Sequence, residues 1–389
     1  MKSLGSLLSL LAFVASGVIA LPHESQSTFE VHPGFDLDLG AQRLVELEGH
    51  QRIWMSELEK IQAKARGAKF FDVTETEDLG SLNNLNMEPT AFYSLKATER
   101  VFPILKTLST KGPRENLEKF SGFRTRYYRS DTGKQSQQWL LRKIQEITSK
   151  YASESLKEII AIKEFPHSWG QNTIITRVNG SSTDDDSVVV IGAHQDSTNL
   201  WPFLPAPGAD DDGSGTVTIL EAYRALVAAD FRPIHTVEFH WYSAEEGGLL
   251  GSQAVARHYE QNGAHVLGMS QFDMTAWVKR GTREEVGIIT DFVDTNLTEF
   301  NKKLVTTYLD IPYVETKCGY ACSDHASWRK AGYPSTFTIE SSFENSNKNI
   351  HSANDRIDIS DEFSFDHMLE FSKLAVAFAV ELGGWTESK

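Results

Sequence analysis

The sequence predicts an α/β domain on a mostly parallel, mixed central sheet with helices on both faces, preceded by a signal peptide and a pro-segment. Three observations carry this reading. Short apolar runs rich in β-branched residues alternate with helical stretches, the pattern of strands buried on both faces. Side chains able to bind a metal follow one predicted strand after another, and open α/β sheets bind ligands at the carboxyl ends of their strands. Residues 21–88 differ in character from everything that follows them.

Residues 1–20, MKSLGSLLSLLAFVASGVIA, place one lysine before an apolar run that closes on small residues. That is the form of a secretory signal peptide. The run falls short of the ~20 residues a spanning helix needs. No other long apolar stretch follows, so the expectation is a secreted, extracellular protein with no membrane partner. Residues 21–88 hold the charged, helix-compatible LVELEGHQRIWMSELEKIQAKARG and end in the turn-rich FFDVTETEDLGSLNNLNMEP. They read as a pro-segment with its boundary near Glu88, although no dibasic site marks it; a small permanent N-terminal domain is the alternative. From residue 89 to 389 the catalytic domain is expected. Helical periodicity runs through 135–152 and 214–229, and strands are predicted at 187–194, 235–244, 266–274, 285–290 and 334–340.

The 389 residues are 40% apolar and 23% charged, an ordinary balance for a chain with a sizeable core. A formal net charge of -15 argues against nucleic acid and anionic membranes as partners. The two cysteines, Cys318 and Cys322, lie in CGYAC. In a secreted chain they read as a disulfide closing a short loop, with a small, local effect on stability. Asn179-Gly180-Ser181 and Asn296-Leu297-Thr298 are glycosylation sequons.

The chemistry is expected just past the strands. His194 and Asp196 follow the first, PGADDDGSG (207–215) leads into a helix, Glu245 and Glu246 follow the second, Asp273 the third, and His351 lies in a later asparagine-rich loop. Two histidines with carboxylates and no cysteine suit zinc or a similar divalent ion. The set suffices for two ions if one carboxylate bridges. Asp211, in a glycine-flanked loop that lets backbone approach closely, is the choice. Asp196, two residues after His194 on the same strand face, can accept a hydrogen bond from the far ring nitrogen. Glu245 and Glu246 are neighbours and point differently, so one binds metal and the other serves as general base. Each piece alone is common in structural roles, and His325 in SDHASW competes as a ligand. The weight lies in their conjunction.

Taken in order, GAHQDS, PGADDDGSG, SAEEGGLLGS, QFDM, CGYACSDHASW and IHSAND resemble the M28 family of co-catalytic zinc aminopeptidases, and among them the secreted fungal leucine aminopeptidases. The resemblance covers 89–389 in detail. It implies two zinc ions held by His194, Asp211, Glu246, Asp273 and His351, with Asp211 bridging, Glu245 as base and Asp196 behind His194. It implies a cis bond at Asp211–Asp212, a disulfide at Cys318–Cys322, and Tyr320 facing the substrate. It implies an apolar specificity pocket matched here by Met274, Ile339, Phe343, Ile350 and the two cysteines, suited to leucine, methionine or phenylalanine. Ile339 and Ser346 stand where some relatives carry aromatic residues, which widens that pocket. The expected partner is a peptide with a free N-terminus, and the expected state a monomer. A carboxypeptidase or dipeptidase, a glutaminyl cyclase and a metal-free binding domain are the rival readings.

Overall fold

Each apolar, β-branched run read from the sequence contains a strand, and the runs 187–194, 235–244 and 266–274 have His194, Glu245–Glu246 and Asp273 at or just past the ends of their strands. The computed structural model describes residues 32–47, 51–82, 95–96 and 98–386, which lie within one unit, His32–Lys389. The predicted signal peptide and the boundary near Glu88 fall outside the described residues.

In the N-terminal part, β1 (Gln42–Leu47), β2 (Arg52–Ser56) and β3 (Phe70–Asp72) form an antiparallel sheet in the order β2-β1-β3, with α1 (Glu57–Ala65) between β2 and β3. The stretch 44–67 is helix-compatible by sequence, yet only Glu57–Ala65 is helix; Gln42–Leu47 and Arg52–Ser56 are strands. Leu44 and Val45, with Ile53 and Trp54 opposite them, favour a pleated surface. The helix starts only where Ser56 and Glu59 make a reciprocal capping box.

The main sheet comprises β4 (Ile160–Phe165), β5 (Thr173–Val178), β6 (Val188–His194), β7 (Thr236–Tyr242), β8 (Val266–Phe272), β9 (Val286–Ile289), β10 (Tyr313–Thr316) and β11 (Ser335–Ile339). Their spatial order is β10-β9-β11-β8-β6-β7-β5-β4. Pairings around β6 and β8 are parallel, while β4, β5 and the β9–β11 contact are antiparallel. The hairpin β4–β5 was not read from the sequence; Lys163, Glu164 and Arg177 break its apolar pattern, as suits an outer edge.

The helices are α2 (Thr98–Leu105), α3 (Lys111–Phe120), α4 (Asp131–Tyr151), α5 (Glu154–Lys157), α6 (Gly213–Ala228), α7 (Leu250–Gln261), α8 (Thr295–Tyr308), α9 (His325–Lys330) and α10 (Phe365–Gly383). Alternation along β6 sorts them into layers. Val189, Ile191 and Ala193 pack into the core shared with α4, α6, α8 and α10, while Val188 and Val190 face α7 and α9. Both faces of β6 are buried, so its six residues before His194 are all apolar or glycine, and the strand ends at His194. No helix among the described residues is long and apolar enough to cross a membrane.

Candidate metal centre

His194 is the last residue of β6 and is buried. Its Nε2 lies 3.1 Å from Asp211 Oδ1 and 3.6 Å from Asp273 Oδ1. His351 Nε2 lies 3.0 Å from Asp211 Oδ2 and 3.2 Å from Glu246 Oε2. Two groups result, His194–Asp211–Asp273 and Asp211–Glu246–His351, each with its ligand atoms within 4.8 Å of one another. Asp211 belongs to both, through a different oxygen in each.

Asp211 is presented by the loop that leaves β6 and enters α6. The peptide bond Asp211–Asp212 is cis, as the sequence resemblance implied. Asp355 accepts the backbone N–H groups of Asp210 and Asp211, both at 3.0 Å. Asp212 caps α6 through Gly215 N–H and also accepts the backbone N–H of His194, tying the loop to the end of β6. A Cβ on Gly215 would stand 2.3 Å from Asp212 Oδ1 and from Phe272 O, so only glycine allows this approach.

The remaining ligand candidates are held in the same manner. Ser323 Oγ donates to Asp273 Oδ2 at 2.7 Å, which leaves Oδ1 toward His194. Asp196 accepts Glu245 N–H at 3.1 Å and Glu246 N–H at 3.2 Å. It lies 3.4 Å from His194 Nδ1, an ion-pair distance; the expected hydrogen bond between them is not made. Glu245 lines the cleft beside Glu246 and keeps part of its surface open. Burial, with Glu246 adding like charge, raises its carboxyl well above the usual range. Burial works the other way on Asp211, where His194 and His351 outweigh it and hold the carboxyl low.

The donor set fits a pair of divalent ions. Both ring nitrogens of His194, Glu246 Oε1 and Asp273 Oδ1 are buried without a hydrogen-bond partner, an unusual concentration of unsatisfied atoms that a cation would relieve. His325, the rival ligand, is not in either group; it is buried and stacked on Phe337 at 4.8 Å. Burial pushes its pKa down to about 3.

A cavity of about 300 Å³ opens on these groups. Met274, Ile339, Phe343, Ile350, Tyr320 and both cysteines line it, which brings together every predicted pocket residue. The Cys318–Cys322 disulfide is formed. Asp291 holds the loop through Cys318 N–H at 3.2 Å and Gly319 N–H at 2.7 Å.

Sequence reasoning missed four contacts. Ser323 and Asp355 sat inside quoted motifs without a role. Lys64 and Lys69, on and just beyond α1, gave no signal. Lys64 Nζ donates to Glu246 Oε2 at 2.5 Å and to Glu246 O at 2.8 Å. Lys69 Nζ lies 4.1 Å above the Tyr320 ring. Deeper in the same contact, Lys60 and Arg43 pair with buried Asp72, and Lys60 also donates to Gly247 O at 3.1 Å.

Residues 172–376 match the Peptidase family M28. The chain is 49% identical over 352 residues to a leucine aminopeptidase 1 of Colletotrichum graminicola, covering 87% of this chain and 85% of that one. It is 46% identical over 394 aligned positions to a leucine aminopeptidase 1 of Pyrenophora teres f. teres, with 98% of each covered. Among solved structures, an aminopeptidase of Legionella pneumophila superposes with a TM-score of 0.75 at 29% identity, over 86% of this chain and 91% of that one.

Proposed function

This chain belongs to peptidase family M28, and from that premise we propose that it is a secreted two-zinc aminopeptidase that removes single apolar residues from the N-termini of peptides. The observation that carries the reading is Asp211, shared through separate oxygens by two metal-competent groups at the mouth of an apolar cavity.

His194 and Asp273 would hold one ion, Glu246 and His351 the other, with Asp211 between them. Bound there, zinc supplies a Lewis acid for the scissile carbonyl and a lowered water pKa. The protein's own groups do the rest. Glu245 takes a proton from the attacking water and passes it to the leaving amine. Tyr320, on the disulfide loop, faces the cleft and can donate to the developing oxyanion. Met274, Ile339, Phe343 and Ile350 receive the N-terminal side chain. Asp196 holds the Glu245–Glu246 backbone in place beneath them.

Residues 21–88 act as a pro-segment in this reading. Residues 32–82 keep the enzyme latent, with Lys64 on Glu246 and Lys69 over Tyr320. The catalytic domain, 89–389, acts as a monomer after release, glycosylated at Asn179 and Asn296, both exposed.

The test pairs metal analysis of the segment-free enzyme with a panel of aminoacyl p-nitroanilides and an N-acetylated control. The expected result is two zinc ions per chain, activity lost to a strong chelator and restored by zinc, and preference for leucine, methionine or phenylalanine. Hydrolysis of the N-acetylated substrate, or activity untouched by the chelator, would overturn the reading.

A further inference from the structure

Behind the metal-competent carboxylates lies a guanidinium that this scheme leaves unused. Arg126 is fully buried. Its Nε donates to Gln195 O at 2.9 Å, its Nη2 to Gly208 O at 2.8 Å, and its Nη1 to the carbonyls of Pro207 and, at 3.5 Å, Phe120. The Phe120 ring covers it at 4.2 Å. Its backbone N–H donates to Ser197 Oγ at 3.0 Å, and that hydroxyl donates to Ala206 O at 2.8 Å. Every acceptor of the side chain is a neutral carbonyl. A buried charge is costly unless something compensates it, and the compensation here is spread over Asp355, Asp196, Asp212 and Asp211. Burial pushes its pKa down to about 10, so it stays charged at neutral pH.

The places it fastens are informative. Gln195 follows His194 directly, and Pro207–Gly208 open the loop that presents Asp211. Gly208 has a φ of +53°, and a Cβ there would stand 2.9 Å from Arg126 Nη2, so the loop is pressed onto the guanidinium. A planar fork reaches four carbonyls on three segments at once; a lysine ammonium does not.

We propose that Arg126 is a positioning residue for the metal centre: its fork ties the end of β6 to the Asp211 loop, and its charge offsets the carboxylates, so both ion sites depend on a residue that touches neither ion. This rests on the two-metal reading.

The test is metal binding by the full chain, with zinc in competition with a chelating indicator and cobalt(II) as a spectroscopic probe. Arg126→Met, checked for folding by circular dichroism, should lose about 10- to 100-fold in zinc affinity and show a changed cobalt visible band. Arg126→Lys keeps the charge but not the fork and should fall between Arg126→Met and the wild type. Wild-type affinity and spectrum in Arg126→Met, with only a lowered melting temperature, would make Arg126 a packing residue and overturn the inference. Should Arg126→Met not fold, Arg126→Lys decides: a several-fold loss with an altered band supports the inference, and wild-type behaviour overturns it. A wild-type chain that binds no metal overturns the two-metal reading and this inference together. Two ions in the wild type with unchanged variants overturn this inference alone.

Discussion

Lys64→Met in the full chain probes the proposed latch, the contact of Lys64 with Glu246. Lys64 Nζ makes two hydrogen bonds to Glu246, at 2.5 Å to its carboxylate and 2.8 Å to its carbonyl. The Glu246 side chain is 1% exposed and that of Lys64 27%. A hydrogen bond to a charged group is worth about 1.5–3 kcal/mol, and partial exposure screens the pair. A net loss of about 1–2 kcal/mol is therefore expected on removing the ammonium. Methionine keeps most of the apolar stem, so packing changes little. At 1.4 kcal/mol per factor of ten, the population with the cleft open should rise roughly 5- to 30-fold. The assay is hydrolysis of leucine p-nitroanilide by the uncleaved chain, which should rise by the same factor over the wild type. Once the segment is removed proteolytically, the two enzymes should be identical, since the altered residue has left with it. An uncleaved variant as latent as the wild type would refute the latch. So would a difference that persists after cleavage, because that places the effect elsewhere.

Glu245→Gln should lower kcat at least a hundredfold, in the range a lost general base produces, with both metals still bound by elemental analysis; near-normal turnover would reassign the base. Ile350→Trp should fill part of the cavity it lines and cut the leucine-to-alanine ratio of kcat/KM about tenfold, the scale of a lost apolar fit; an unchanged ratio would move the pocket. The N-terminal segment's own fold and its docking should also respond to acid. Burial favours the protonated form of Asp72 and Glu46, but Lys60 and Arg43 for the first, and Lys330 and Arg52 for the second, outweigh it and hold both below their ordinary 3.8 and 4.5. Carboxyls depressed in the folded state contribute stability that is complete above the unfolded pKa and disappears as pH falls through the folded one. Calorimetric melting of the full chain should show these groups stabilising fully down to about pH 4.5 and progressively less below it; a loss traced by Asp72→Asn to the range between pH 7 and 5 would contradict this.

The strands and the candidate ligands were legible because their signals are local or periodic. β6 reads from seven consecutive residues, and His194 follows its apolar run directly. The motif residues Asp211, Glu246 and Asp273 each sit within four residues of a strand or helix end, where the sheet's geometry forces convergence. The N-terminal sheet was misread because LVELEGHQRIWMSELEK satisfies a helical pattern as well as an alternating one. Tertiary pairing with β3, whose Phe71 stands opposite Glu46, settles it for strand. Lys64 and Arg126 were illegible for a different reason. Their partners lie 182 and 69–82 residues away for the contacts that matter, and a single lysine or arginine carries no periodic mark of such a partner. Ser323 and Asp355 fell between: their motifs were visible, but their donors and acceptors are backbone atoms and a distant carboxylate that no spacing announces.

The carboxylates of this site are organised by the backbone more than by cations. Asp355 takes N–H groups from Asp210 and Asp211, Asp196 from Glu245 and Glu246, Asp212 from His194, Gly215 and Met274, and Glu340 from Trp277 and Asn347. Each accepting oxygen is thereby fixed before any ion arrives, and these donors come from strand ends and loops that the core already holds rigid. The acids that accept these bonds do not line the cleft, whereas the candidate ligands Asp211, Glu246 and Asp273 do. A site built this way spends little reorganisation on binding, since its geometry is a by-product of folding. It also accounts for the contact that Lys64 of the N-terminal segment makes with Glu246. The excess negative charge facing the cleft attracts whichever cation reaches it, and Lys64, carried on a short capped helix, is tethered within reach.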